Sequence, residues 1–490
     1  MSRIDRRQFF RNAASYSGGA LFAPSLAGLA TWNADPSSLG ATLERRRNQD
    51  NRAGYGELVQ STTVPEFWIP RDFRIARISE TFVASTANPT FIVPPAVDGM
   101  ASFALPNGNI RLIRNHEVGD EAAVGKPFGK RPYDVKGGGG TTSLEVRVIG
   151  SGRDLAVNVV REFASLTGTI INCAGGPTPW GSWLTCEETT RDATQGYEKP
   201  HGYVFEVPVN ASEEVEPVPL KAMGRFEHEA IAVDPDTGIV YLTEDMDAPT
   251  LPAAEAALPD GSRPLSGFYR FIPTTRARLV EGGKLQMLAI RDQPNYKTAT
   301  DQKPGTRLPV RWVDIDDPDP SNAGRDSSAV FRQGWARGAA SFARLEGCWW
   351  GDRTCYFNAT SGGNVRAGQI WQYRPTERDG GELILVFESP SRDVLEGPDN
   401  LCTSPRGGLV ICEDAGGDQY LRGLLSTGEL FDVVRAPVQG GKPRPTEFAG
   451  SCFSPDGRVL FVNQQGATRS SGTVHGGTFA LWGDWSRGGL

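Results

Sequence analysis

Residues 103–117 read Phe103-Ala-Leu-Pro-Asn-Gly-Asn-Ile-Arg-Leu-Ile-Arg-Asn-His-Glu117. An apolar stretch enters a Pro/Asn/Gly turn, and a β-rich run leaves it and ends on polar and acidic residues. Gly and Asn supply tight-turn conformations, and Ile-rich flanks suit pleated strands, so the stretch reads as a β-hairpin. The pattern recurs five times: Trp180-Gly-Ser-Trp-Leu-Thr-Cys-Glu-Glu188, Ile231 through Pro235 and Gly238 to Glu244-Asp245, Ala340 to Asn358 with a turn at Gly351-Asp352, Leu401 to Glu413-Asp414, and Ser451 to Asn463. Starts fall roughly 50 to 110 residues apart. Strand runs at this long period predict an all-β fold, a six-bladed β-propeller with four-stranded blades around a central channel. The uneven spacing predicts inserted loops, the largest between about 246 and 335. Two packed β-domains are disfavoured, because the copies run from end to end without a break.

Composition agrees. The 58 Gly and 35 Pro make 93 breakers in 490 residues, too many for a helical bundle or solenoid. The glycines have no three-residue period, which excludes a collagen-like chain. With 39% hydrophobic and 22% charged residues, a large core is within reach. Only four His are present, so any metal site has to draw on other ligands.

The net charge is −7, and setting aside residues 1–30, which hold four Arg and one Asp, leaves 47 basic against 57 acidic residues. That disfavours nucleic acid as a partner and is compatible with carboxylates clustered around cations. Asp5-Arg6-Arg7-Gln8-Phe9-Phe10-Arg11, followed by a weakly apolar stretch to Ala30, resembles a twin-arginine export signal. It is too short and too weak for a stable membrane span, and none occurs later. The expected organisation is a signal at 1–30, a polar linker or strap at 31–60 and one catalytic propeller at 61–490. Export would place the protein in the periplasm or outside the cell. Seven Cys cannot all pair within one chain, and Cys348/Cys355 and Cys402/Cys412 could each bridge a hairpin.

The second strand of each copy ends on oxygen-bearing residues: Asn115 and Glu117, Glu187 and Glu188 after Cys186, Glu244-Asp245, Asn358, Glu413-Asp414, and Asn463. Six such ends in register would line an axial cavity. Further clusters are Glu227-His228-Glu229, Arg344 with Glu346, and Asp399-Asn400. Carboxylates and amides in number suit Ca2+. A thiolate at Cys186 points to a softer transition metal. Arg344 beside such a cluster is shaped to clamp a phosphate with two hydrogen bonds. His228 alone reads as a hydrogen-bonded core residue, and Lys136-Gly137-Gly-Gly-Gly140 as a flexible turn without the Lys-Ser/Thr of a phosphate loop. No Gly-x-Ser-x-Gly elbow or zinc-protease helix motif is present.

Taken in order, the twin-arginine start, Asn115-His116-Glu117, Trp180–Glu188, Gly224-Arg-Phe-Glu-His-Glu-Ala230, Ala343-Arg-Leu-Glu-Gly347, Gly397-Pro-Asp-Asn-Leu401 and Gly477-Thr-Phe-Ala-Leu-Trp-Gly-Asp-Trp485 resemble the PhoX-type alkaline phosphatases. The resemblance implies a twin-arginine-exported six-bladed propeller that hydrolyses phosphomonoesters with an axial cluster of calcium (Ca2+) and iron (Fe3+). It implies Cys186 as the thiolate ligand of iron, Glu229 and Glu346 as carboxylate ligands, and Arg344 as the phosphate clamp, with Arg344 and Glu346 catalytic. Glu117, Glu187, Glu244, Asp399 and Glu413 are further metal ligands by position in the repeat. The implied mechanism is metal-assisted hydrolysis without a protein nucleophile. The expected partners are a small phosphomonoester and the export machinery, and the protein is expected to be monomeric. A calcium-dependent lactonase, which has no need for Cys186 or Arg344, and a non-enzymatic calcium-binding periplasmic propeller, whose carboxylates would hold one structural Ca2+, remain the alternatives.

Overall fold

The computed structural model describes residues 54–119, 127–247, 250–376, 380–440, 445–469 and 472–490. The export signal expected at 1–30 lies outside them. Each of the six repeats forms an antiparallel hairpin: Val97–Ala104 with Ile110–His116, Asn172–Pro177 with Ser182–Glu187, His228–Val233 with Val240–Glu244, Leu345–Gly351 with Thr354–Ala359, Pro398–Thr403 with Leu409–Glu413, and Phe448–Phe453 with Val459–Gln464. The first strand of each hairpin packs against the first strand of the next, and Phe448–Phe453 returns to Val97–Ala104. The result is an all-β, propeller-like fold with its innermost strands in a closed cycle.

The sheets are less regular than six identical blades. The first unit continues outward through Gly139–Ile149 and Ala156–Thr169, while the second stops at three strands with Val204–Pro208. The third and fourth share strand Arg307–Asp314, which pairs on one side with Gly283–Ile290 and on the other with Gly380–Glu388. The region from 246 to 335 is therefore not merely a loop, because it contains Phe268–Pro273 and Gly283–Ile290, the outer strands of the third unit. Gly139 and Gly140, expected in a turn, open a strand and pair with Thr169 and Thr167. Of the polar segment 31–60, residues 54–60 are described, and Leu58–Gln60 adds an edge to the fifth unit through Trp68–Pro70. No helix among the described residues is long and apolar enough to cross a membrane.

Six buried apolar clusters among the described residues hold the units together, and each lies where two neighbours meet. Leu184 and Val204 of the second unit face Ile231 and Val233 of the third, and Phe268 of the third stacks on Phe357 of the fourth at 4.2 Å. Alternating strands bury one face per interface, so each sheet is apolar on both sides, as sandwiched sheets require.

Ring closure rests on the N-terminal strand Arg74–Glu80, which pairs with Gly477–Trp482 and completes the last unit. A buried ion pair reinforces the joint with the first unit. Arg114, fully buried, donates from Nη2 to Glu162 Oε1 (2.5 Å), from Nε to Thr142 Oγ1 (2.9 Å) and from Nη1 to Thr478 Oγ1 (2.5 Å). Ser79 donates to the same Glu162 oxygen at 2.9 Å. Removing one partner of a buried pair strands the other charge, so Glu162→Ala is expected to cost about 3–5 kcal/mol. Glu162→Leu with Arg114→Met should recover most of it. Urea denaturation of the two variants checks both outcomes.

Candidate metal centre

The six innermost strands share a local irregularity that sets up the centre. Each ladder shifts register just after its start, between Val97 and Met100, Asn172 and Gly175, His228 and Ile231, Leu345 and Cys348, Pro398 and Leu401, and Ala449 and Cys452. Such bulges bend a strand and re-aim a side chain. In five of the six, the second residue of the strand is Asp98, Cys173, Glu229, Glu346 or Asp399, and these groups come together at the axis. The sixth strand has Ala449 there. The residue that follows is small or short: Gly99, Ala174, Ala230, Gly347, Asn400 and Gly450. At Gly347 the reason is direct, since a Cβ would lie 2.5 Å from the Asp399 carbonyl oxygen.

A second tier comes from the residues just past the second strands, where Glu117, Glu188 and Asp245 join the first tier. Ligand atoms fall in four overlapping groups, each within 4.8 Å: Asp98, Glu117 and Cys173; Cys173, Glu188 and Glu229; Glu188, Asp245 and Glu346; and Glu229, Glu346 and Asp399. Seven carboxyl groups and one thiol thus form a continuous belt. Glu117, Glu188 and Asp399 are half-buried and mark its open side, while Asp98, Glu229, Asp245 and Glu346 are buried.

Of the residues expected from sequence, Glu117, Glu229, Glu346 and Asp399 lie in the belt. Cys186, Glu187, Glu244 and Glu413 do not, and the reason is the two-residue alternation of strands. Cys186 faces an apolar interface with Leu184, Val204 and Phe226, and the thiol in the belt is Cys173. Glu187 accepts from His201 Nδ1 (2.6 Å) and from the backbone N–H groups of Ile170, Gly202 and Tyr203. Glu244 accepts from Tyr269 Oη (2.8 Å) and Gly267 N (2.7 Å), and Glu413 pairs with Arg422 at 2.9 Å. All three fix backbone or side chains at the start of neighbouring strands. The next residue in each case points the other way, and Glu188 and Asp245 reach the axis.

The amides proposed as oxygen ligands act one strand out. Asn115 Nδ2 donates to the carbonyls of Cys173 (3.1 Å) and Ala174 (2.6 Å), and Asn463 Nδ2 donates to that of Asp98 (2.5 Å). Asn358 does the same to Asp399, and Thr243 Oγ1 to Glu346 (2.7 Å). Each holds the ligand-bearing strand of the following unit. His228 is a core residue: it stacks on Phe226 with ring centroids 3.6 Å apart, its Nε2 lies 3.0 Å from the Gly224 carbonyl, and burial lowers its pKa to about 3.

Arg344 is the cation bonded into the belt. Its Nε lies 3.0 and 3.1 Å from the Asp245 oxygens, and its Nη2 lies 2.5 Å from Asp245 Oδ2 and 3.0 Å from Glu346 Oε1. Burial works against its charge, but Glu346 and Asp245 outweigh burial and hold its pKa above the ordinary value. Its backbone sits at φ +52°, a left-handed conformation that costs a non-glycine residue energy. The side chain remains 37% exposed.

Elsewhere the belt is undercompensated. Burial, then the fields of neighbouring carboxylates, push Glu117 up to about 8 and Asp399 up to about 7. The same causes hold Asp98, Glu188, Glu229 and Glu346 well above the usual carboxylate range. Burial, then Asp98, raises the Cys173 thiol. Neither oxygen of the fully buried Glu229 meets full hydrogen-bond geometry with the described residues, and the weak donor beside it is the Cys173 thiol. A buried carboxylate without strong donors either keeps a proton or binds a cation. Many oxygens with one sulfur fit hard cations beside a softer metal, so the donor set suits the expected calcium and iron.

Below the belt the axis narrows. Gly99, Gly175, Gly347, Gly450 and Trp349 line a cavity of about 10 Å3, room for about one water. Trp349 packs against four of the six inter-unit apolar clusters. Its side chain lines the cavity and is half-buried.

A family model described as "Alkaline phosphatase PhoX" matches residues 54–468. No curated protein sequence matches the chain. Among solved structures, the chain is similar to a gluconolactonase from Xanthomonas campestris at 13% identity, covering 87% of this chain and 97% of that one, with a TM-score of 0.40. It is also similar to the periplasmic gluconolactonase of Pseudomonas aeruginosa (14% identity, 79% and 85% covered, TM-score 0.35). A third is the calcium-binding protein regucalcin from Agrobacterium tumefaciens (10% identity, 75% and 91% covered, TM-score 0.33).

The raised carboxyl pKa values have a definite sign. In metal-free protein the folded state holds protons that the unfolded chain releases near pH 4, so this stabilisation is fully present below about pH 4 and is lost progressively as pH rises from there to the folded values of about 7 to 8. The thermal midpoint of chelated protein should fall between about pH 5 and 8, and Ca2+ should remove most of that fall. Calcium affinity should rise about ten-fold or more per pH unit over the same range as protons are displaced. Differential scanning calorimetry and calcium titration in buffers of differing ionisation enthalpy measure the two effects.

Proposed function

The chain belongs to the PhoX alkaline phosphatase family, and on that premise we propose that it hydrolyses phosphomonoesters at the axial carboxylate belt. The observation that carries the reading is Glu229, a fully buried carboxyl with a weak thiol donor, Cys173, beside it and no well-formed hydrogen bond at either oxygen, set among six further carboxyls. At neutral pH such an arrangement either keeps protons or takes up cations that offset its charge. Asp98, Glu117, Glu188, Glu229, Asp245, Glu346 and Asp399 would hold calcium, and Cys173 an iron ion beside them. When bound, the cations supply positive charge to the phosphoryl oxygens, where phosphoryl transfer develops its charge.

The chain's own contribution is position. Arg344 is gripped by Asp245 and Glu346 through Nε and Nη2, which fixes the plane of the guanidinium. Its Nη1 takes no part in those bonds and is the group to meet a phosphoryl oxygen from the exposed side. Glu346 both belongs to the belt and orients this arginine. Trp349 lines the narrow part of the axis, so substrate would enter and phosphate leave on the side of the half-buried Glu117, Glu188 and Asp399.

The fold is read as a six-bladed β-propeller, supported by the closed cycle of six innermost strands. Arg6-Arg7 and the weakly apolar stretch behind them support twin-arginine export to the periplasm or beyond, and the protein is read as a monomer.

Protein matured with iron and calcium available should contain both metals and cleave p-nitrophenyl phosphate, and chelation should abolish the cleavage. Cys173→Ser should lose iron, whereas Cys186→Ala should keep it. Arg344→Ala should lower kcat/KM by about 100-fold or more, with Arg344→Lys between. Elemental analysis and steady-state kinetics decide; calcium alone with no phosphatase activity would sink the proposal.

A further inference from the structure

All seven cysteines are buried thiols, and two of them meet. Cys348 and Cys355 lie on the hairpin Leu345–Gly351/Thr354–Ala359 with their sulfur atoms 3.1 Å apart. The register explains the contact. Cys348 pairs with Phe357, and Trp350 pairs with Cys355, so the two cysteines share a face and sit two residues from direct opposition. The pair at Cys402 and Cys412 is a natural comparison. There Cys402 pairs with Val410, which puts Cys412 along the opposite diagonal, and Cys402 Sγ instead meets Ser451 Oγ at 3.6 Å. A twisted antiparallel ladder has two inequivalent diagonals, so only one of these placements brings sulfurs together.

We propose that Cys348 and Cys355 form a disulfide when the protein meets a thiol-oxidising environment, while Cys402 and Cys412 remain thiols. A shift of about 1 Å closes the gap to the ~2.05 Å bond. The oxidant is a disulfide of the exchange class, such as glutathione disulfide. One cysteine attacks it and releases one glutathione thiol. The other then displaces the second glutathione, forming the intramolecular bond, and the two cysteine protons end on the two released thiols. The bond fixes the strand that carries Arg344 and Glu346 at its start to the strand beside it. Cys173 lies apart from the pair, in the carboxylate belt, and keeps its thiol for metal. The inference does not depend on the phosphatase reading.

Trypsin offers a direct test, since it cuts after Arg344, Arg353 and Arg366 and so leaves Cys348 in peptide 345–353 and Cys355 in peptide 354–366. The full-length protein is equilibrated with glutathione disulfide at 25 °C and just below its thermal midpoint, where local opening admits the oxidant. It is then acid-quenched, capped with N-ethylmaleimide in denaturant, and digested. The expected result is one cross-linked pair of these two peptides, separated by dithiothreitol, with Cys402 and Cys412 capped. The thermal midpoint should also rise on oxidation and return on reduction, an effect absent in Cys348→Ser with Cys355→Ser. Recovery of both peptides singly, each carrying maleimide after both equilibrations, would overturn the proposal, as would a Cys402–Cys412 cross-link.

Discussion

Crowding of like charge in a dry space is the constraint on which this structure turns. Seven carboxyl groups are drawn within reach of one another at the axis, yet Arg344 is the cation bonded into the belt. Two carboxylates a few ångströms apart in a medium of low polarity repel by several kcal/mol, and here the repulsion is compounded around the ring. Proteins do not keep such an arrangement for stability, since the same volume filled with apolar side chains would fold at least as well. Acidic groups placed this way could hold cations. The fully buried Glu229, with no well-formed hydrogen bond at either oxygen and a thiol as its weak donor, is the sharpest case of that crowding.

Most of the surrounding architecture serves to hold those charges in place against their repulsion. The inner strands carry the ligands at bulges, and the strands cannot slide because second-strand groups such as Asn115, Thr243, Asn358 and Asn463 clamp the carbonyls of ligand residues in the following unit. Four of the six units thereby position a belt residue of their neighbour. The apolar layers between sheets supply the cohesion, and the pairing of Arg74–Glu80 with Gly477–Trp482 stops the ring from springing open. Compensation at Arg344 is local and strained, since a left-handed backbone at that residue aims the guanidinium at both Asp245 and Glu346.

The hairpin repeat and the carboxylate-rich axis were legible in the sequence because turn residues and strand ends are short-range signals. Which carboxylate of a pair faces the axis was not, because it depends on strand register. Glu187-Glu188, Glu244-Asp245 and Glu413-Asp414 each offer two acids in succession, and a shift of one residue exchanges axis for sheet interior. Asp98 and Cys173 were missed for a related reason. They sit at the starts of first strands, in Val97-Asp98-Gly99 and Asn172-Cys173-Ala174, away from the second-strand ends where acidic residues cluster in the sequence. A usable cue was present: an acid or Cys followed by a small residue, entering the inner strand in five of six repeats.

That cue also explains why the choice between Cys173 and Cys186 could not be made from neighbouring carboxylates. Cys186 is followed by two glutamates, which makes it look like part of a ligand cluster. However, it occupies a second strand, and its side chain faces the apolar layer shared with Phe226 and Ile231. Cys173 has no adjacent acid in the chain, yet its thiol reaches Asp98 Oδ1 at 3.8 Å and groups with Glu117, Glu188 and Glu229. A metal site in a closed ring of strands is assembled across units. Its ligands are therefore separated by roughly a repeat length in sequence, and equivalence of position within the repeat identifies them better than proximity along the chain.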